Sequence, residues 1–69
     1  MRLKINGHSK TIDFLVQSPT ITDLFNVLNL DKQGRFVELN DEIYHPQSFE
    51  SVSLQDNDVI EIIQFMAGG

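Results

Sequence analysis

The stretch TITDLFNVLN at residues 20–29 decides the fold. Thr20 and Asp23 have the spacing of a capping box, in which each side chain bonds a free backbone N–H at the start of a helix. Apolar residues then recur at i, i+3, i+4 and i+7: Ile21, Leu24, Phe25 and Leu28. This spacing predicts one amphipathic helix over residues 21–29 with a single apolar stripe. Such a stripe needs a sheet to cover, so we expect an α+β arrangement.

Two strand patterns precede the helix. Leu3 and Ile5 alternate with polar residues, and Asn6-Gly7 is a hairpin signal because both residues tolerate a positive φ. A second strand is predicted to run as far as Val16, with alternate residues sharing each face: Ile12, Phe14 and Val16 on one, Thr11, Asp13 and Leu15 on the other. Pro19 follows this strand and ends it.

More strand patterns follow the helix. Residues 36–39 and 42–44 predict a hairpin around Asn40-Asp41, and Pro46 ends it because proline lacks a ladder donor. Residues 47–54 fit a helical turn through Phe49 followed by a short edge strand through Val52 and Leu54, but their pattern is ambiguous, so the number of strands between residues 42 and 55 stays open. The turn-rich residues 55–58 lead into the last strand, residues 59–65.

The order of these elements predicts a β-grasp fold. A mixed sheet of four or five strands would pack on the one main helix, with the first and last strands side by side. Ile60 and Ile62 would face the helix, and the other face of the last strand would carry Ile63 and Phe65. We expect one β-grasp domain over residues 1–65 and a flexible tail over residues 66–69.

The composition excludes several function classes. The chain has 69 residues, ten acids against five Lys and Arg, a net charge of −5 and no cysteine. A chain of this size buries only about 60% of its unfolded surface, so a core and a walled active site do not both fit and an enzyme is not expected. Acidity disfavours nucleic-acid binding. The absence of cysteine removes disulfides, thiolate zinc sites and a catalytic thiol.

Motifs for phosphate loops, nucleophile elbows and zinc proteases are absent from the sequence. His8 and His45 are interpreted as solvated turn residues rather than metal ligands, and no metal site is expected. No apolar run approaches the length of a membrane span, and the N-terminus lacks the apolar block of a signal peptide. We therefore expect a cytoplasmic protein without membrane contact.

The C-terminus FMAGG, residues 65–69, is the remaining chemical feature. Two glycines directly after a strand give a tail narrow enough for a slot that rejects side chains. The terminal carboxylate is ionised at neutral pH and could attack a phosphorus atom. Adenylation by ATP would activate it, with magnesium and cationic groups supplied by a partner. A sulfur nucleophile could then displace AMP and leave a C-terminal thiocarboxylate.

The chain resembles the ThiS family of ubiquitin-like sulfur carriers in thiamin biosynthesis. The resemblance covers essentially the whole chain and rests on residues 5–7, 20–25, 37–43 and 56–69. One departure is Asn57, where glycine is frequent between two aspartates; asparagine also tolerates a positive φ, so only the turn geometry is affected.

The resemblance implies that Gly69 is adenylated by a ThiF-type, E1-like enzyme that uses ATP, with no cofactor bound by the carrier itself. Sulfur would come from a cysteine desulfurase, and a ThiG-type thiazole synthase would accept it from the thiocarboxylate. Gly68 and Ala67 would pass through the partner's channel. Ile63, Phe65 and Met66 are the candidate docking face, chosen by strand alternation, with burial in the core as the competing interpretation.

Three alternatives stay open at this point. A MoaD-like small subunit of molybdopterin synthase would share the fold, the tail and the thiocarboxylate. A ubiquitin-like modifier would join its tail to lysines instead. A plain interaction domain would have an inert tail.

Overall fold

The computed structural model describes residues 1–65. Its elements, in chain order, are β1 (Arg2–Ile5), β2 (His8–Thr11), α1 (Ile21–Leu28), β3 (Arg35–Leu39), β4 (Glu42–Tyr44), a 3₁₀ helix (Pro46–Ser51) and β5 (Val59–Gln64). The five strands form one sheet in the order β2-β1-β5-β3-β4. β1 and β5 are parallel, and the other neighbours are antiparallel. The first and last strands thus lie side by side under one main helix, as the sequence predicts for a β-grasp fold.

Two left-handed turns close the hairpins of the sheet. Asn6 and Gly7 have φ values of 48° and 82°, and Asn40 and Asp41 have φ values of 48° and 71°. Consecutive positive φ values match the right-handed twist of the strands they join, which is why these residue types occur here. Asn57 also has a positive φ, 71°, so it serves the turn where glycine is common in the family pattern.

Helix α1 begins at the predicted capping box. Thr20 Oγ1 accepts from the Asp23 N–H at 3.4 Å, and Asp23 Oδ2 accepts from the Thr20 N–H at 2.8 Å. The helix ends at Asn29, which takes a left-handed φ of 56°. Its apolar stripe packs on the sheet, and the Phe25 ring lies 5.0 Å from the ring of Phe49 in the 3₁₀ helix. The core therefore lies between the sheet, α1 and this 3₁₀ helix.

The predicted second strand is wrong in its position. Strand β2 covers His8–Thr11, and Ile12 to Pro19 form no strand. The two-residue turn fixes the register with Ile5 opposite His8, so the strand ladder reaches Thr11 opposite Arg2, and Ile12 exchanges two further hydrogen bonds with Met1 at 2.8 and 2.9 Å. Ile12 is still buried, but Leu15 is fully exposed. Apolar and polar residues do alternate over residues 11–16, but the segment after β2 has no partner strand.

The ambiguous segment after β4 contains the helical turn and not an edge strand. Phe49 is 1% exposed within the 3₁₀ helix. Ser53 forms only an isolated bridge with Thr20. The last strand ends at Gln64, one residue earlier than predicted. Within residues 1–65, no helix is long and apolar enough to cross a membrane.

The capping box gives a test of the fold. Replacing Thr20→Ala leaves the Asp23 N–H without its side-chain acceptor, so the free energy of unfolding should fall by about 1 kcal/mol. Thr22→Ala, inside the first turn of the same helix, is the matched control and should change it by less than about 0.5 kcal/mol. Urea titrations followed by circular dichroism measure both values. Equal losses in the two variants would show that the cap contributes nothing specific.

Candidate functional site at the carboxyl end of the last strand

The tail leaves the sheet at the carboxyl end of β5. Because β5 runs parallel to β1, this end lies beside the hairpin turn at Asn6 and Gly7. On the other side, the Phe65 N–H donates to the Gly34 carbonyl oxygen at 2.8 Å. The chain therefore leaves the sheet between two loops whose backbones are tied to it.

Asn6 extends the pairing of β5 beyond β1. The paired residues of β1 and β5 end with Ile5 and Ile60. Asn6 Oδ1 accepts from the Ile62 N–H at 2.7 Å, and Asn6 Nδ2 lies 3.5 Å from the Ile62 carbonyl oxygen that it donates to. The side chain thus takes the place of the next strand residue and holds β5 two residues further toward the tail.

An aromatic cluster covers the sheet face turned away from α1 at this end. Phe36 on β3 is directly opposite Ile63 on β5. The Phe36 ring centroid lies 5.0 Å from that of Phe65 and 5.9 Å from that of His45. Phe65 is 50% exposed, and Ile63 and Phe36 are half-buried without belonging to the core. We call these four residues the aromatic face.

Two carboxylates lie next to the aromatic face. Glu38 on β3 is directly opposite Glu61 on β5, one step further from the tail on the same side of the sheet. Like charges in directly opposed positions destabilise a sheet. Lys4 on β1 is exposed on this same side, opposite Val59 of β5, so charges of both signs lie beside the exposed aromatic rings.

Comparisons with known proteins agree with this geometry. The model of the ThiS family matches residues 3–69. The sulfur carrier protein ThiS of Bacillus subtilis (strain 168) is 37% identical over 67 residues, which are 97% of this chain and 98% of that protein. The crystal structure of a thiamine biosynthesis protein, ThiS, from Geobacter metallireducens has a TM-score of 0.82 at 33% identity, covering all of both chains.

The chain belongs to the ThiS family. It is a sulfur carrier of thiamine biosynthesis and not an enzyme, as the resemblance implied. This favours the thiamine pathway over the three alternatives left open by the sequence. A further relative has a different length: the thiazole synthase of Paramagnetospirillum magneticum (strain ATCC 700264 / AMB-1) is 35% identical over all 69 residues, which cover only 20% of that protein.

Only part of the predicted site lies within the described residues. Ile63 and Phe65 lie on the face of β5 opposite the helix, and neither belongs to the core. Their role in docking stays a prediction. Residues 66–69, which include the predicted docking residue Met66, the channel residues Ala67 and Gly68, and the sulfur-carrying Gly69, lie outside the described residues.

Three contributors to this ThiS site were not singled out from the sequence. Phe36 and His45 had been assigned only to a strand and a turn, and Asn6 only to its turn. His45 does not behave as a purely solvated residue, because its ring packs beside Phe36. The pairing of β3 with β5 brings the rings together, and no local sequence pattern predicts that pairing.

Among residues 1–65, no group of three or more His, Cys, Asp or Glu could hold a metal ion.

One titratable group near this end of the sheet has a shifted pKa. Tyr44 Oη donates to Glu42 Oε2 at 2.9 Å. This hydrogen bond, followed by partial burial and the negative charge of Glu42, raises the pKa of Tyr44 above its usual 10.0. The phenol is therefore neutral at physiological pH, and the contact is lost only as the pH rises through that higher pKa.

The role of Asn6 can be measured directly. Asn6→Gly keeps an easy left-handed φ but removes both side-chain contacts to Ile62, so the unfolding free energy should fall by about 1 kcal/mol. Hydrogen exchange at the Ile62 amide should accelerate more than at the other amides of β5. Asn57→Gly, also at a positive φ in an exposed turn, is the control and should leave that amide unchanged. Equal protection of Ile62 in all three proteins would contradict the role given to Asn6.

Proposed function

We propose that the C-terminal carboxylate of Gly69 is the group that carries sulfur. A ThiF-type, E1-like enzyme adenylates it with ATP and releases pyrophosphate. The terminal sulfur of a persulfide made by a cysteine desulfurase then displaces AMP, and a thiol cleaves the resulting acyl disulfide, which leaves a disulfide and the thiocarboxylate. A ThiG-type thiazole synthase then takes the sulfur. The carrier binds no cofactor of its own, because ATP belongs to the activating partner.

The fixed end of β5 supports this proposal more than any other single observation. β5 is a central strand, and the Phe65 N–H directly after it donates to the Gly34 carbonyl oxygen, so the residues that follow continue from a defined point. An unperturbed terminal carboxylate has a pKa of about 3.3–3.7 and is ionised at neutral pH. An ionised carboxylate can attack without a general base from the carrier, so the partner can supply all the catalytic groups.

Gly68 and Ala67 suit the passage from the body to the partner's active site. Neither residue has a side chain beyond Cβ, and Gly68 has none. A channel that closes around such a chain can exclude water from the acyl-adenylate, which would otherwise be hydrolysed. The tail is flexible in this proposal, and its ordering on binding is driven by contacts made by the body.

The aromatic face supplies those contacts in the proposal, together with Met66. Exposed aromatic rings are enriched among the residues that dominate binding energy at interfaces. Its position next to the tail means that a partner that covers it also receives the tail. The neighbouring Glu38, Glu61 and Lys4 favour a partner whose docking site carries charges complementary to this mixed border.

The thiazole synthase relative supports one of these partners independently. That protein contains a segment similar to this whole chain, so a carrier and a synthase occur there in one polypeptide. Two activities that share an intermediate benefit from such linkage, because the second binding event becomes intramolecular. We place the protein in the cytoplasm, where ATP is available, without nucleic-acid or membrane contact.

The chemistry predicts a specific change in mass. Incubation with ATP, magnesium, the cognate ThiF-type enzyme and a cysteine desulfurase with cysteine should add the difference between one sulfur and one oxygen to the intact protein. Deleting Gly69 should abolish the gain while leaving the unfolding free energy within about 0.5 kcal/mol, as expected for an exposed terminus. Omitting ATP is the control. A full gain in the deletion variant would place the sulfur elsewhere in the chain.

The aromatic face predicts a difference between two exposed residues of β5. Phe65→Ala should weaken binding to the ThiF-type enzyme about tenfold, because it removes a half-exposed ring next to the tail. Val59→Ala, on the same side of β5 but at its opposite end, should change binding less than about twofold. Calorimetric titration gives both affinities, and circular dichroism checks the fold. Similar losses in both variants would argue against a docking face at the tail.

A further inference from the structure

The helix side of the sheet has a groove of different character beside the same tail. Ile5, Leu28 and Ile62 contribute an apolar floor, and His8, Lys10 and Arg35 lie around it. Its volume is about 480 Å³, enough for several side chains. None of the described residues that line it is acidic. We call it the basic groove.

The strand register explains why the groove is open. His8 and Lys10 on β2 are opposite Ile5 and Leu3, so they lie on the same side of the sheet as the core. β2 is the edge strand, and the core contacts of α1 lie over the inner strands instead. Both residues are exposed as a result. A lysine and a histidine thus occupy positions that a longer or tilted helix would cover.

The guanidinium of Arg35 is fixed but not neutralised by its hydrogen bonds. Arg35 Nη1 donates to the main-chain carbonyl oxygen of Asp31 at 2.6 Å, and Nη2 lies 3.5 Å from Gln64 Oε1. Both acceptors are uncharged, so they orient the guanidinium without cancelling its charge. Gln64 is the last residue of β5, which places this charge where the tail leaves the sheet.

Two of the five Lys and Arg residues of a chain with a net charge of −5, together with His8, therefore surround one groove at this end of β5. A long polyanion would meet the acidic remainder of the surface, whereas a short acidic segment can contact the groove alone, because screening confines charge effects to about 10 Å at 0.1 M salt. The chain's own tail is a poor occupant. Ordering four residues, two of them glycine, loses chain entropy, and the free-energy cost of that loss exceeds the free energy gained from one exposed carboxylate contact.

We propose that the basic groove docks a short acidic segment of the thiazole synthase, with an apolar side chain of that segment on the groove floor. The inference rests on the function proposed above and extends it to a second surface. The thiazole synthase relative that contains a carrier-like segment is the observation that favours this partner over others. The aromatic face and the basic groove lie on opposite sides of the sheet at the same end of β5, so they can serve different partners.

Charge reversal in the groove tests this. Lys10→Glu should weaken binding of the purified cognate thiazole synthase about five- to tenfold in low salt, and added salt should reduce the difference. Lys32→Glu is the matched control, since Lys32 is an exposed lysine outside the groove, and it should stay within twofold of the unchanged protein. Lys10→Arg should bind normally. Sulfuration by the ThiF-type enzyme, read by intact mass, should be the same in all variants.

Two results would overturn the proposal. One is equal synthase affinity of the Lys10→Glu and Lys32→Glu proteins, and the other is a Lys10→Glu loss confined to the ThiF-type enzyme, which would assign the groove to that partner. Binding is measured with the unmodified carboxylate form of the carrier. A failure of the proposed sulfur chemistry would therefore appear as a missing mass gain in every variant, separately from the binding result.

Discussion

The pairing of β5 on both sides is the constraint on which the rest of the structure depends. Strand β5 is parallel to β1 and antiparallel to β3, and all five residues of β3 are paired with it. The asparagines of the two hairpin turns bond its ends: Asn40 Oδ1 accepts from the Val59 N–H at 2.9 Å, and Asn6 Oδ1 from the Ile62 N–H at 2.7 Å. Each turn thus closes its own hairpin and also places the central strand, which explains why asparagine suits both positions.

A central strand that ends where the tail begins gives a carrier its geometry. Strand β5 ends between two fixed loops, and the surfaces at this end belong to different layers: the aromatic face on the open side of the sheet and the basic groove on the helix side. In the proposed function, the body holds the start of the tail in place and offers these two surfaces to partners.

Local signals predicted the helix and the hairpin turns well, because a capping box, an i, i+3, i+4 stripe and an Asn-Gly pair act within a few residues. The error at residues 11–16 has the opposite origin: alternation indicates a half-buried strand but cannot show whether a partner strand extends that far. The contribution of Phe36 and His45 to the aromatic face was missed for the same reason. Phe36, His45 and Phe65 come from three segments, and only the β3–β5 register brings them together.

The opposed pair Glu38–Glu61 connects stability with function. A chain of 69 residues has a small core, which offsets few unfavourable contacts. A like-charge pair on the two central strands therefore lowers a stability that is already limited. A carrier must also release each partner after use, and strong hydrophobic docking would slow that release. Charges beside the aromatic face speed association by steering while adding little to the lifetime of the complex. A small apolar contact area bordered by charge therefore suits the proposed role, in which the carrier binds and releases its partners in turn.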